Sequence, residues 1–185
     1  MAGRKIKILT QKGFTMSELI VSLFIIGLIS TLVLSSYSSG RRVAELKIST
    51  QKLAADLRYM QNNTLGLVKN DEDGSIPPGG WGLHIDTALS AKNYSYFTDD
   101  DAGHDFDSDE ENKVIPMSGD IVIDSIKVDA ADTTWTDIIF FPPDPATYIN
   151  GASTSVAEIT LKESKLGKTA KVFVNPYGLI EIVEQ

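Results

Sequence analysis

Residues 14–34 read FTMSELIVSLFIIGLISTLVL, 21 residues with a single ionisable side chain, Glu18. A helix needs about 20 consecutive apolar residues to cross the hydrocarbon of a bilayer, so this stretch predicts a membrane-spanning helix. On its N-terminal side, residues 1–12 carry Arg4, Lys5, Lys7 and Lys12 and no acid. A basic flank stays on the cytoplasmic face, so everything after Leu34 is expected on the far side of the membrane. A secretory signal peptide also begins basic and continues apolar, but its apolar core is shorter and ends in a small-x-small cleavage site. Leu34-Ser35-Ser36-Tyr37-Ser38-Ser39-Gly40 offers only a weak version of such a site. On hydropathy alone, an uncleaved signal anchor fits equally well.

The residues around position 13 separate these readings. Lys12-Gly13-Phe14-Thr15-Met16-Ser17-Glu18-Leu19-Ile20 resembles the processing site of the type IV pilin and type II secretion pseudopilin superfamily. The shared features are a basic leader ending in Gly, then Phe and Thr, and a Glu as the fifth mature residue of an otherwise apolar helix. The resemblance implies that a prepilin peptidase cuts between Gly13 and Phe14 and N-methylates Phe14. It also implies other pilin or pseudopilin subunits, an inner-membrane assembly platform and membrane lipid as partners. A carboxylate inside a spanning helix costs on the order of 2.5 to 3.5 kcal/mol on insertion scales, so it marks function and calls for a counter-charge. Cleavage would supply one, an ammonium at Phe14 four residues away on one helix face, and Glu18 of one subunit could pair with the Phe14 amine of its neighbour. The alternative is that an acid near a helix start is favourable in itself. The chain departs from the family pattern in having Ser35 where many members carry a proline. No proline precedes Pro77, so no proline kink is expected in the membrane helix, and Gly27 and Ser30-Thr31 are its weak points.

Beyond the serines, Val43, Leu46, Thr50, Leu53, Leu57, Met60, Thr64 and Leu67 recur at alternating spacings of three and four, the stripe of an amphipathic helix. The expected organisation is a leader over 1–13, a long helix over 14–68 with its transmembrane part at 14–36, and a head domain over 69–185. The helix should stop near Asn70, before Pro77-Pro78-Gly79-Gly80. Seven strands are expected in the head: 82–85, 94–98, 120–128, 136–141, 156–162, 170–175 and 179–183. Asn175-Pro176-Tyr177-Gly178 should join the last two as a hairpin. The fold class is therefore α+β, a long N-terminal helix packed on an antiparallel β-sheet or β-sandwich. The order Leu57-Arg58-Tyr59-Met60-Gln61, Trp81-Gly82-Leu83, Ile138-Ile139-Phe140-Phe141-Pro142 and Val172-Phe173-Val174-Asn175-Pro176-Tyr177-Gly178 resembles the GspH/FimT-type minor pseudopilins and minor pilins. In that group a glycine follows soon after the Phe-Pro stretch, whereas here the next is Gly151.

Charge and composition bound the remaining functions. The chain has 185 residues, net charge −8 and no cysteine, which excludes disulfides, thiolate metal sites and cysteine nucleophiles. Without residues 1–13 it carries 13 basic against 25 acidic residues, a net −12. That surface argues against nucleic acid as a partner, because phosphate binding needs clustered Lys and Arg. A DNA-capturing minor pilin remains an alternative, although the closing Glu181-Ile182-Val183-Glu184-Gln185 offers no basic patch. No nucleophile elbow, phosphate-binding Gly-Lys motif or dinucleotide fingerprint appears, and His84 and His104 stand apart from any metal-ligand spacing, so no enzyme is expected. The densest charge runs from Asp99 to Glu111. Its first reading is a solvated, self-repelling loop. If calcium binds there, Asp99, Asp101, Asp105 and Asp107 are the first candidates, although the EF-hand template fails for want of its glycine and its final glutamate.

Overall fold

The apolar run and the amphipathic stripe form a single helix, α1, over Met16–Leu65. The structure, a computed structural model, describes residues 13–70, 74–143 and 146–184; the expected leader lies outside them except for Gly13. The chain divides into two compact units, Met1–Gly40 and Arg41–Gln185. In the first, every described side chain from Gly13 to Val33 is exposed. Among the described residues α1 is the one helix long and apolar enough to cross a membrane. Its hydroxyls fit an apolar environment, because Ser22, Ser30 and Thr31 donate to the carbonyls of Glu18, Ile26 and Gly27, at 2.7, 2.7 and 3.0 Å. The backbone stays helical through Ser35–Gly40, as expected without a proline.

In the second unit the stripe is buried from Leu46 to Thr64, while its outer members Val43 and Leu67 are exposed. The helix ends five residues before the expected Asn70. The Val68 N–H reaches the Asn63 carbonyl at 2.9 Å and the Leu67 N–H the Thr64 carbonyl at 3.1 Å, a Schellman motif. Leu67 occupies its left-handed position at φ 49°, one residue beyond Gly66. Trp81 holds this end in place: its backbone N–H donates to Thr64 Oγ1 at 3.0 Å and its indole N–H to the Val68 carbonyl at 3.1 Å. Left-handed backbone costs a side-chain-bearing residue about 1 to 2 kcal/mol, and glycine gives back about 0.5 to 1 through the unfolded chain. Leu67→Gly is therefore expected to stabilise the protein by about 0.5 kcal/mol, read as a higher denaturant midpoint with an unchanged slope.

Among the described residues ten strands follow: β1 (Gly80–Asp86), β2 (Asn93–Asp99), β3 (Glu111–Pro116), β4 (Ile121–Val128), β5 (Ala131–Thr133), β6 (Trp135–Phe141), β7 (Ala146–Ile149), β8 (Ala157–Glu163), β9 (Thr169–Val174) and β10 (Ile180–Glu184). They form two five-stranded antiparallel sheets, ordered β3-β2-β1-β6-β7 and β10-β9-β8-β4-β5. All seven expected strands are present. The three additional ones, β3, β5 and β7, are edge strands, too short or too polar to show an alternating pattern. The Asn175 turn closes as expected, with the Gly178 N–H on the Asn175 carbonyl at 3.0 Å. Leu46, Leu53, Leu57 and Met60 of α1 join Leu83, Ile85 and Phe140 of the first sheet and Ile123, Ile159 and Val172 of the second in one core. The observed class is thus a long apolar N-terminal helix packed on two antiparallel sheets.

A charged clamp ties the start of the amphipathic half to the second sheet. Arg42 Nη1 donates to Asp120 Oδ2 at 2.9 Å and to Glu163 Oε1 at 3.2 Å, and the Glu163 side chain is buried. Burial alone would raise the Glu163 carboxyl, but N–H groups of Leu166 and Lys165 and the Arg42 guanidinium outweigh it and hold its pKa below 4.5. Hydrogen bonds from Lys165 and Arg42 likewise lower Asp120. A depressed carboxylate stabilises the fold above its unfolded pKa, and that stabilisation is lost as pH falls through the folded value. Arg42→Met keeps the aliphatic stem and leaves Glu163 without its counter-charge. It is expected to lower Tm by roughly 5 °C at neutral pH. The gap from wild type should close as the pH drops below about 4.5.

Candidate functional site

Gly13 and Phe14 precede the helix and are exposed, and a Cβ built on Gly13 would meet nothing within 4 Å. The helix is opened by Thr15-Met16-Ser17-Glu18, which folds as a capping box. The Thr15 N–H donates to Glu18 Oε2 at 3.1 Å, the Thr15 hydroxyl donates to the same oxygen at 2.9 Å, and the Glu18 N–H returns to Thr15 Oγ1 at 3.3 Å. The first intrahelical bond, from the Leu19 N–H to the Thr15 carbonyl at 3.2 Å, confirms Thr15 as the cap. This corrects the expectation that Phe14 and Glu18 share a helix face. The cap starts the helix at Met16, so Phe14 lies before it and is 85% exposed. Thr-x-x-Glu ahead of an apolar run is a legible capping signature, and it makes Thr15 a member of this site that the sequence reading passed over. Both donors from Thr15 fall on Oε2, whereas a carboxylate accepts at both oxygens.

The acidic segment of the head is not a free solvated loop. Asp101, Asp105, Asp107 and Asp109 are exposed, but His104 and Phe106 between them are partly buried and dock the segment on the outer face of the first sheet. Phe106 stacks on His84 of β1 at 4.0 Å and meets Phe97 of β2 edge-on at 5.3 Å. His104 stacks on Tyr148 of β7 at 4.0 Å and meets Phe141 of β6 edge-on at 5.0 Å. Gly82 makes room beneath, since a Cβ there would stand 2.5 Å from the Phe97 ring. Carboxylates then hold the backbone. Asp99 accepts the N–H groups of Gly103 and His104 at 3.1 and 3.0 Å, and Asp137 accepts that of Phe106 at 3.1 Å. Period-two and charge-run patterns gave no sign of this, because two aromatic pegs in thirteen residues carry no periodicity. Like-charge repulsion is overcome because the pegs bury apolar surface and the acids accept N–H donors.

Of the four residues considered for calcium, Asp99 and Asp101 come together with Glu110, their ligand oxygens within 4.8 Å of one another; Asp105 and Asp107 are not in this group. Burial raises Asp99, against the hydrogen bonds from His104 and Gly103. Burial also raises Glu110, assisted by the charges of Asp99 and Asp101. These three carboxylates also accept N–H groups of the segment itself, Glu110 from Asp100 at 2.8 Å and Asp99 and Asp101 from Gly103 at 3.1 and 2.8 Å. His84 pairs with Asp137 through Nδ1, which resembles two members of a catalytic triad. Its strand neighbour Ser95, however, gives its proton to Glu111, and the imidazole is stacked on Phe106. The pair holds the docked segment.

Residues 9–34 match the model of the prokaryotic N-terminal methylation motif. The match takes in Lys12, Gly13, Phe14 and the apolar run through Leu34. No curated protein matches the chain. Among solved structures, the chain is similar to the minor pseudopilin EpsH from the type 2 secretion system of Vibrio cholerae. The two share 10% identity over 76% of this chain and 97% of that one, with a TM-score of 0.42, a likeness too loose to carry an argument.

Proposed function

We propose that the chain is a structural subunit of a type II secretion pseudopilus or a type IV pilus, of the GspH/FimT kind, made as a precursor. Prepilin peptidase removes residues 1–13 and methylates Phe14. The apolar half of α1 then holds the subunit in the cytoplasmic membrane, with the head outside, until the assembly platform transfers it to a filament. The observation that supports this most is the methylation motif over residues 9–34 on a helix whose apolar side chains are exposed all round. A helix apolar on every face needs lipid or other apolar helices about it, and a filament core supplies the second when the first is left behind. Capture of DNA is not favoured, because Arg42, Lys127, Lys162, Lys165 and Lys171 each pair with an acid on the same chain. Mass spectrometry of the protein purified from its membrane is the direct test. The expected mature chain begins with N-methyl-Phe14; retention of Met1 through Gly13 in cells with an active prepilin peptidase would exclude the proposal.

A further inference from the structure

The outer face of the first sheet carries a recess of about 240 Å³, bounded by β1, β2, β3 and the docked acidic segment. His84 and Ser95, cross-strand partners of β1 and β2, line it together with Phe106, whose ring is stacked on the His84 imidazole at 4.0 Å. Asp86 and Glu111 bring carboxylates to it, and no Lys or Arg is among its lining residues. Both acids are held in position. Asp86 Oδ1 accepts the N–H groups of Ala88 and Leu89 at 2.8 and 3.3 Å, and Glu111 accepts the Ser95 hydroxyl. Apolar Leu89, 84% exposed, and Val114, 46% exposed, also line the recess. Exposed apolar side chains around a small polar pocket are the anatomy of a protein contact centred on one anchoring residue. At this volume the recess is smaller than the roughly 300 to 1,000 Å³ of small-molecule sites, which suits one side chain.

We propose that this recess receives a single arginine side chain from a basic partner protein. A guanidinium is planar, weakly hydrated and forks to carboxylates, so it matches a recess that sets two pinned acids among aromatic side chains better than a lysine ammonium does. The partner is a protein other than a second copy, because a chain of net charge −8 favours a surface of opposite sign over its own at this acidic recess. The inference concerns the head alone and does not depend on removal of the leader, so it stands or falls apart from the proposed function.

The test is a titration of the full chain in detergent micelles with the capped peptide Gly-Arg-Gly, followed by amide NMR. Saturable shifts at Ser95, Phe106 and Glu111 are expected, with affinity on the order of millimolar, weakening as salt is added. The same peptide with citrulline in place of arginine keeps the shape without the charge and is expected to leave those signals unmoved. Glu111→Gln and Asp86→Asn retain the hydrogen-bond acceptors that shape the site. Each should weaken binding about threefold, and the double variant about tenfold, with the rest of the spectrum unchanged. Equal shifts with the citrulline peptide, undiminished binding by the double variant, or no saturable shift at all would each overturn the proposal.

Discussion

Glu18→Gln should be cleaved and methylated as wild type and yet fall out of assembled filaments, its incorporation reduced by roughly a hundredfold. The capping box gives this substitution its value. Glutamine at the third helical position serves a capping box as glutamate does, so the Thr15 N–H keeps an acceptor and the helix still begins at Met16. What is lost is the charge. An ammonium carried by Phe14 into an apolar filament core would then lack its counter-ion, and an unpaired charge in such surroundings costs far more than a missing surface contact. Glu18→Ala removes both its half of the capping box and the charge, and should fail at least as severely, again with cleavage intact. The comparison is decisive, measured as the ratio of filament-borne to membrane-borne mature subunit. If the glutamine variant assembles normally and the alanine variant does not, Glu18 acts only as a cap. If both assemble normally, Glu18 has no part in assembly.

Gly13→Leu is expected to abolish maturation, leaving a precursor that retains residues 1–13 and enters no filament. Its interpretation is unusually clean. Gly13 is exposed and precedes the helix, and a Cβ there would meet nothing within 4 Å, so the described structure offers no clash that the substitution would cause. On the proposed reading, any block then arises where the segment meets the processing enzyme. Without the cut, Phe14 remains an amide and the ammonium proposed to pair with Glu18 never forms. One intact-mass measurement on membranes expressing the variant decides the point, and mature product in wild-type amount would move the cut elsewhere.

The N-terminal features were legible because they are local. A run of 21 residues with one acid is long and apolar enough to cross a bilayer, whatever follows it. The stripe from Leu46 to Thr64 predicts its own buried face, since 3.6-residue periodicity needs only a neighbouring surface. The interior strands β1, β2, β4, β6, β8, β9 and the β10 hairpin show themselves through β-branched alternation and the Asn175 turn. Tertiary structure decided the rest, where a residue's role is set by a partner far along the chain. The helix stops at Leu65 because Trp81 ties down Thr64 and Val68, and Leu67 accepts left-handed backbone that its own chemistry disfavours. The edge strands β3, β5 and β7 exist because a neighbour offers its open hydrogen-bonding side. The acidic segment would be expanded and solvated on its charge alone. It lies on the sheet because His84, Phe97, Phe141 and Tyr148 present a surface for His104 and Phe106, and burial against that surface outweighs the repulsion between its carboxylates.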